Sequence, residues 1–318
     1  MFKFGKVLEP NPKNPMQASY ANIPMNEYLG SKIVEALGIP AQEVLLGQHN
    51  GRSVVACRDF VRAKGGHFQL VEFNKLETSM PGGSSSGKAT PEYEYTLKVF
   101  EEHPSLEPIR EAAVRRFWET AIVDALIGNF DRHSGNWGYI LDTNSMTLID
   151  LAPVYDCGSA LYSRLSEAQM EKFTADREAL AERIMAFPAM KLLVDGKKPK
   201  YHEFLLSEKG SAARSVLLDV YPRLDMAKIG EIVQNTPGIS DVRKDFYRAL
   251  LEERKRMILE PAYKQALAEV EGRKRERTPE AIAKAAREAA ANGPTISCRL
   301  KRQQPKRDSG TGTGFNWE

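Results

Sequence analysis

The chain has 318 residues, enough for one large or two moderate domains that bury their own core without help from disulfides or metals. Three scattered cysteines, Cys57, Cys157 and Cys298, exclude a disulfide scaffold and form no zinc-ligand spacing, which fits a reducing compartment. No apolar run approaches the roughly 20 residues of a spanning helix, and the net charge of +3 sits at one end: residues 273–308 hold 11 Lys and Arg against 4 Asp and Glu. The remaining body is mildly acidic, the reverse of a fold that binds nucleic acid over a broad face.

In chain order, Phe2-Lys-Phe4 predicts a short strand with Lys3 on the face opposite its two aromatics. Asn11-Pro-Lys-Asn-Pro15 reads as a loop, and Asn26 as the cap of a helix over 27–37 that Gly38 and Pro40 end. Residues 44–46, 53–57 and 67–73 predict three antiparallel strands, so that residues 1–78 outline a small β-rich lobe. Residues 79–91 turn to Gly, Ser and Pro, a flexible surface insertion. Gly82-Gly-Ser-Ser-Ser-Gly-Lys88 fills seven positions of a phosphate-loop motif, but Ala89 lacks the hydroxyl of the eighth and Pro91 interferes with the helix that should follow. A helix is predicted from Ser105, with Pro108 in its first turn and an apolar stripe through Val114, Phe117, Trp118, Ala121, Ala125 and Leu126. From residue 157 onward the pattern is helical, with a capping box at Ser166-Glu-Ala-Gln169 and a long helix from about Ser240, which makes 92–272 a large helical lobe. Residues 273–318 form a basic tail, read either as solvated and partly disordered or as a patch for nucleic acid, an acidic partner or nuclear import.

Residues 129–158 concentrate the chemistry. Asp131 and Asn136 are five apart, the spacing of the base and the metal-binding Asn in a protein-kinase catalytic loop. Two β-like runs, 137–141 and 146–151, joined by the turn Asp142-Thr-Asn-Ser145, form a hairpin that returns Asp156 toward them, where a kinase carries its metal-binding Asp. Singly, Asp131 or Asn136 is an ordinary turn former; together with Asp156 they describe a phosphoryl-transfer floor. Asn136 offers a hard oxygen without charge, Asp156 one with charge, and Asp131 is left to orient a hydroxyl and take its proton. His133 reads as a brace of the loop or a phosphate contact, and Arg132 as a surface charge.

Gly128-Asn-Phe-Asp-Arg-His-Ser-Gly-Asn-Trp-Gly138, followed by Leu151-Ala-Pro-Val-Tyr-Asp-Cys-Gly-Ser159, closely resembles HipA-like serine/threonine kinases, nearest to their short stand-alone branch. The resemblance runs from about Phe2 to Arg256 and implies an α/β (α+β) two-lobe protein-kinase-like fold. It implies Asp131 as the catalytic residue, Asn136 and Asp156 as Mg²⁺ ligands, and Lys3 on the ATP phosphates with Glu27 as its helix partner. His133 and Tyr155 are implied as further nucleotide contacts, and Cys57, Arg58 and Asp59 as the interlobe segment whose backbone meets adenine.

The implied activity is transfer of the ATP γ-phosphate to a Ser or Thr of a protein substrate, with autophosphorylation. The rivals are a pseudokinase or interaction module acting through the basic tail, and a small-molecule phosphotransferase on the same scaffold. One departure stands out: relatives carry further β structure and a Gly/Ser-rich phosphate loop upstream of the lysine strand, so the lobe reads as N-terminally truncated. A late start codon, a separate N-lobe or antitoxin-like partner, or decay of the enzyme would each account for it. No membrane association is expected; the expected location is the cytoplasm, or a host cell reached without a classical signal peptide.

Overall fold

The structure, a computed structural model, describes residues 1–7, 20–21, 23–82 and 90–276. The chain divides into Met1–Val270, the unit considered below, and Glu271–Glu318, which includes only the end of the last helix among described residues. The Ala-rich segment from Pro279 to Ala291, the Pro-rich loop at 11–15 and most of the Gly/Ser insertion lie outside the described residues. Among the described residues no helix is long and apolar enough to cross a membrane.

The architecture is mixed α+β, small sheets against a mostly helical body. Strand β1 (Phe2–Phe4) is followed by β2 (Lys6–Val7) and β3 (Tyr20–Ala21), which pair with each other, and by helix α1 (Ile23–Ala36). Strands β4 (Val44–His49) and β5 (Arg52–Cys57) then complete an antiparallel sheet in the order β1-β5-β4. Register places Lys3 opposite Val55, and Val55 opposite Leu46, so these three share the face turned to α1. Helix α1 begins three residues before its expected cap. Asn26 lies inside it, fully buried, donating to Ala160 O at 2.6 Å and accepting from Tyr247 OH at 3.1 Å. A tertiary role has displaced the local capping one.

The third expected strand of the small lobe, β6 (Phe68–Glu72), does not join that sheet. It pairs antiparallel with β7 (Gly138–Asp142), itself paired with β8 (Thr147–Leu151), in the order β6-β7-β8. The cause is packing. Phe73, which follows β6 and opens α2 (Phe73–Ser79), stacks on Trp137 with ring centroids 3.9 Å apart and sits in a core of Phe100, Leu106, Tyr139 and Leu148. Gly138 permits the backbones to meet, since a Cβ there would lie 2.3 Å from Val71 O and 2.8 Å from Glu72 Cα. Gly138→Ala is therefore expected to cost about 1–3 kcal/mol, the scale of overpacking against backbone that cannot yield, read as a lowered urea midpoint.

Helix α3 (Tyr93–Glu102) leads to a 3-10 turn, Pro104–Ile109, and then to α4 (Arg110–Ile127). Pro104 and Pro108 bring no N–H, so the expected helix from Ser105 is a tight turn capped by His103 Nδ1, and the α-helix starts only at Arg110. Helix α4 buries Trp118, Ile122, Val123, Leu126 and Ile127 and ends on Gly128 in the left-handed region at φ 66°. The rest of the body comprises α5 (Glu167–Ala175), α6 (Arg177–Ala186), α7 (Tyr201–Leu206), α8 (Ser211–Val220), α9 (Met226–Gln234), α10 (Asp241–Arg254) and α11 (Glu260–Glu276). The Ser166 capping box forms, and Ser240 caps α10. Buried Arg254 at the end of α10 donates to Ala125 O in the last turn of α4 at 2.8 Å, a cation at the negative pole of the helix that delivers the loop 128–136.

Candidate active site

The loop after α4 is held by its own short polar side chains. Asn129 Oδ1 accepts from Asp131 N at 3.2 Å; Asp131 O accepts from His133 N at 3.0 Å and from Asn136 Nδ2 at 2.9 Å. Because the Asn136 amide nitrogen is spent on the loop, its Oδ1 is the atom turned to a ligand, and among the described residues it accepts no hydrogen bond. His133 Nδ1 accepts from Gly135 N at 3.1 Å, which places the proton of the neutral ring on Nε2. The Tyr155 phenol donates to Gly135 O, and buried Tyr201 to Asn129 O.

What joins this loop to the returning hairpin is Arg132, whose side chain is only 8% exposed. Its Nε and Nη2 grip the carboxylate of buried Asp124 at 2.8 and 3.1 Å, while Nη1 donates to Asn136 O at 3.0 Å and also to Tyr155 O. The sequence reading as a surface charge is thus overturned. Burial disfavours the guanidinium charge, the Asp124 carboxylate outweighs it, and Arg132 stays protonated well above its ordinary range. One cation thereby fixes the backbone beside Asn136 and the residue before Asp156.

Asp156 follows at φ 58°, a left-handed conformation uncommon for a residue with a Cβ, which aims its carboxylate at Lys3. Lys3 Nζ lies 2.6 Å from Asp156 Oδ1 and 2.9 Å from Glu27 Oε2. Glu27 is fully buried, and Gly158 passes so close that a Cβ there would stand 3.2 Å from its carboxylate. Burial works against the Lys3 charge, but Glu27 and then Asp156 reverse the effect and raise its pKa; burial likewise opposes ionised Asp156, and Lys3, Arg132 and His133 pull its pKa down. A raised lysine stabilises fully below about 10.5, its ordinary value, and loses that contribution as pH rises through the raised value. The depressed carboxylate acts above about 3.8 and fails as pH falls through the lowered one. The stability lost in Lys3→Met is therefore expected to be constant across neutral pH and to shrink at both extremes, which urea unfolding at pH 3, 7 and 11 checks.

Asp131 points outward, 44% exposed, with Oδ1 3.3 Å from Lys191 Nζ. Lys191, Asp124, Arg132 and Tyr201 were not among the expected site residues. The buried pair had a sequence signal, a carboxylate inside the apolar stripe of α4; Lys191 had none, being 60 residues away in sequence from its partner. The Cys157 thiol is buried, and burial pushes it up to about 12, the setting of a packed rather than a reactive cysteine. The interlobe segment is bonded within the chain. Cys57 N and O are both bonded to Met1, Arg58 N donates to Glu43 O, and Arg58 O accepts from Gln42 Nε2, so these backbone groups are engaged within the protein. The Asp59 side chain caps the turn at Val61 and Arg62, and Phe60 leans on Tyr155 at 5.7 Å.

Among the described residues no cluster of three His, Cys, Asp or Glu could hold a metal alone. Mg²⁺ does not need one: it is commonly held by one or two protein oxygens together with substrate phosphates and water, and Asn136 Oδ1 with the second Asp156 oxygen is such a donor set.

The pattern of the HipA-like C-terminal domain family matches residues 1–226. The serine/threonine-protein kinase CtkA of Helicobacter pylori is 36% identical over 259 residues, 81% of this chain and 78% of that protein. The crystal structure of the Helicobacter pylori proinflammatory kinase CtkA superposes with a TM-score of 0.74 at 34% identity, covering 84% of this chain and 90% of that one. HipA of Shewanella oneidensis, solved with HipB and operator DNA, shares the fold at a TM-score of 0.50 and 15% identity, over 76% of this chain and 58% of that one. The chain belongs to the HipA-like C-terminal domain family and is a kinase of that family.

Proposed function

We propose that this HipA-like kinase moves the γ-phosphoryl group of ATP to a serine or threonine hydroxyl of a protein, its own chain included, with Mg²⁺ as the metal. The observation that carries the reading is that two cations hold the Asp156 turn. Lys3 ties Asp156 to α1, Arg132 ties the carbonyls of Asn136 and Tyr155 to one carboxylate, and Asp131, next to Arg132 in the loop, faces outward. Phosphoryl transfer asks for alignment and charge neutralisation rather than a covalent intermediate, and these residues supply both.

In this reading Asn136 Oδ1 and Asp156 hold Mg²⁺, which when bound neutralises phosphate charge. Lys3 steadies the nucleotide phosphates while Glu27 fixes its ammonium. The His133 Nε2–H is a donor for a phosphate oxygen, and Asp131 accepts the proton of the acceptor hydroxyl. The adenine rests near Phe60 and Tyr155, beside the segment 57–59, in which Asp59 O already accepts from Ala63 N at 3.1 Å.

The test is a melting experiment with and without Mg²⁺-ATP. At a ligand concentration 100 times Kd the native state gains about 2.7 kcal/mol, a rise of several degrees. Asp156→Asn is expected to abolish the Mg²⁺-dependent part of that rise. If Mg²⁺-ATP leaves the wild-type melting temperature unchanged at millimolar nucleotide, the reading fails in favour of an interaction module.

A further inference from the structure

Beyond Asp131 the surface is built of rings that carry cations. Phe130, the residue before Asp131, has Arg164 Cζ over its face at 5.6 Å and packs against Phe187 with centroids 5.7 Å apart. Arg183 Cζ stands 4.9 Å over Phe187 and 5.4 Å over Tyr162, whose hydroxyl donates to Phe187 O at 2.7 Å. Lys200 Nζ donates to Ala186 O beside the same rings, and Lys191 faces Asp131 itself. Two segments thus converge on the catalytic loop, the one leaving the Asp156 turn, which brings Arg164, and the end of α6, whose last turn brings Arg183.

Their partners set these side chains apart. Arg115, Arg116, Arg132, Arg214 and Arg243 all meet carboxylates of the fold. Among the described residues Arg164, Arg183 and Lys200 form no ion pair; Glu203, three residues on from Lys200, accepts from the Lys200 backbone N–H instead. An arginine lying over an aromatic face keeps a pre-organised fork of N–H donors toward solvent, and that fork matches a carboxylate. Arg164 is exposed and Arg183 half-buried, so the first is open and the second is steadied by its rings.

We propose that the acceptor side of this site selects Ser/Thr segments flanked by acidic residues, with Arg164 and Arg183 reading the flanking carboxylates and Phe130 and Phe187 supporting them. The proposal rests on the kinase reading of Asp131, because it places the acceptor hydroxyl there. Charge also agrees: the body of the chain is mildly acidic, so a cationic face at the catalytic loop is a local feature that discriminates among partners rather than a general attraction.

The experiment is an array of Ser peptides in which each flanking position is varied among Asp, Glu, Asn, Gln, Lys and Arg, labelled by the full chain with Mg²⁺ and radioactive ATP, alongside ATP hydrolysis in the absence of peptide. At one or more positions Asp or Glu is expected to exceed Asn or Gln by about three- to fivefold, the scale of a rim charge pair. Arg164→Glu and Arg183→Glu should each remove or invert that advantage while labelling of neutral peptides stays within about twofold. Arg164→Gln and Arg183→Gln, which remove charge without reversing it, should give the same loss in weaker form. Equal labelling of acidic, neutral and basic peptides, or an acidic advantage that survives both substitutions, overturns the proposal. A chain that hydrolyses ATP yet labels no acidic peptide overturns it while the kinase reading stands; a chain that neither hydrolyses ATP nor labels any peptide overturns both.

Discussion

Asp131→Asn is expected to lower phosphoryl transfer by about 10²- to 10⁴-fold, the usual worth of a positioned general base, without loosening the fold. The substitution is nearly isosteric, and the loop is shaped by Asp131 main-chain atoms: N donates to Asn129 Oδ1, and O accepts from His133 N and Asn136 Nδ2. The side chain carries only the half-exposed pair with Lys191 at 3.3 Å, and exposed pairs contribute roughly 0–1 kcal/mol. What disappears is the lone pair that takes the hydroxyl proton. Since Asp131 is not a metal donor in this arrangement, the Mg²⁺-ATP rise in melting temperature should persist in the variant, so a fall in kcat with an unchanged rise separates a base from a ligand. Transfer of label from ATP to Ser/Thr acceptors or to the chain itself measures it. A variant as active as wild type would remove Asp131 from the chemistry.

Lys191 complicates the comparison in a useful way. Its ammonium, 3.3 Å from Asp131 Oδ1, shares that oxygen with whatever hydroxyl approaches. Lys191→Met should lower kcat less than Asp131→Asn does, by about tenfold, the effect of one exposed to half-buried charge at a pre-organised site. The steady-state rate at saturating ATP is the readout.

A candidate polar floor could be read from the sequence because Asp131 and Asn136 carry a catalytic-loop spacing and are separated from Asp156 by two β-like runs that return the chain. The hairpin β7–β8 could be read for the same reason. Two things were hidden. One was the pairing of β6 with β7 instead of with β5, which turns on a ring stack between Phe73 and Trp137 and on the closeness that Gly138 permits, neither of which leaves a periodic trace. The other was the burial of charge. An arginine between Asp131 and His133 looks like solvent-facing loop composition, and only the fold brings it against Asp124 on α4. Backbone satisfaction at Cys57 and Arg58 was hidden for a similar reason, since it depends on which strand edge lies alongside.

That hidden charge leads to the strongest expected effect on stability. Arg132→Met should destabilise the chain by about 3–5 kcal/mol, the cost of leaving a buried carboxylate without its cation. Asp124 is 1% exposed and, among the described residues, would retain only Asn129 Nδ2 as a side-chain donor, at 3.0 Å. The carbonyls of Asn136 and Tyr155 would lose a donor as well. The double variant Arg132→Met with Asp124→Leu removes both charges at once, and replacing a buried pair by apolar groups is often neutral or better, so most of the lost stability should return. Activity should not. Without Arg132 the Tyr155 phenol still reaches Gly135 O at 3.2 Å, but the carbonyls of Asn136 and Tyr155 are no longer tied to one cation, and metal donors are useful only when their geometry is fixed within fractions of an ångström. Urea unfolding and label transfer on the single and double variants therefore move apart: stability recovers and transfer stays low. Recovery of both would mean that Arg132 only neutralises Asp124 and that the two halves of the site are aligned by the hairpin alone.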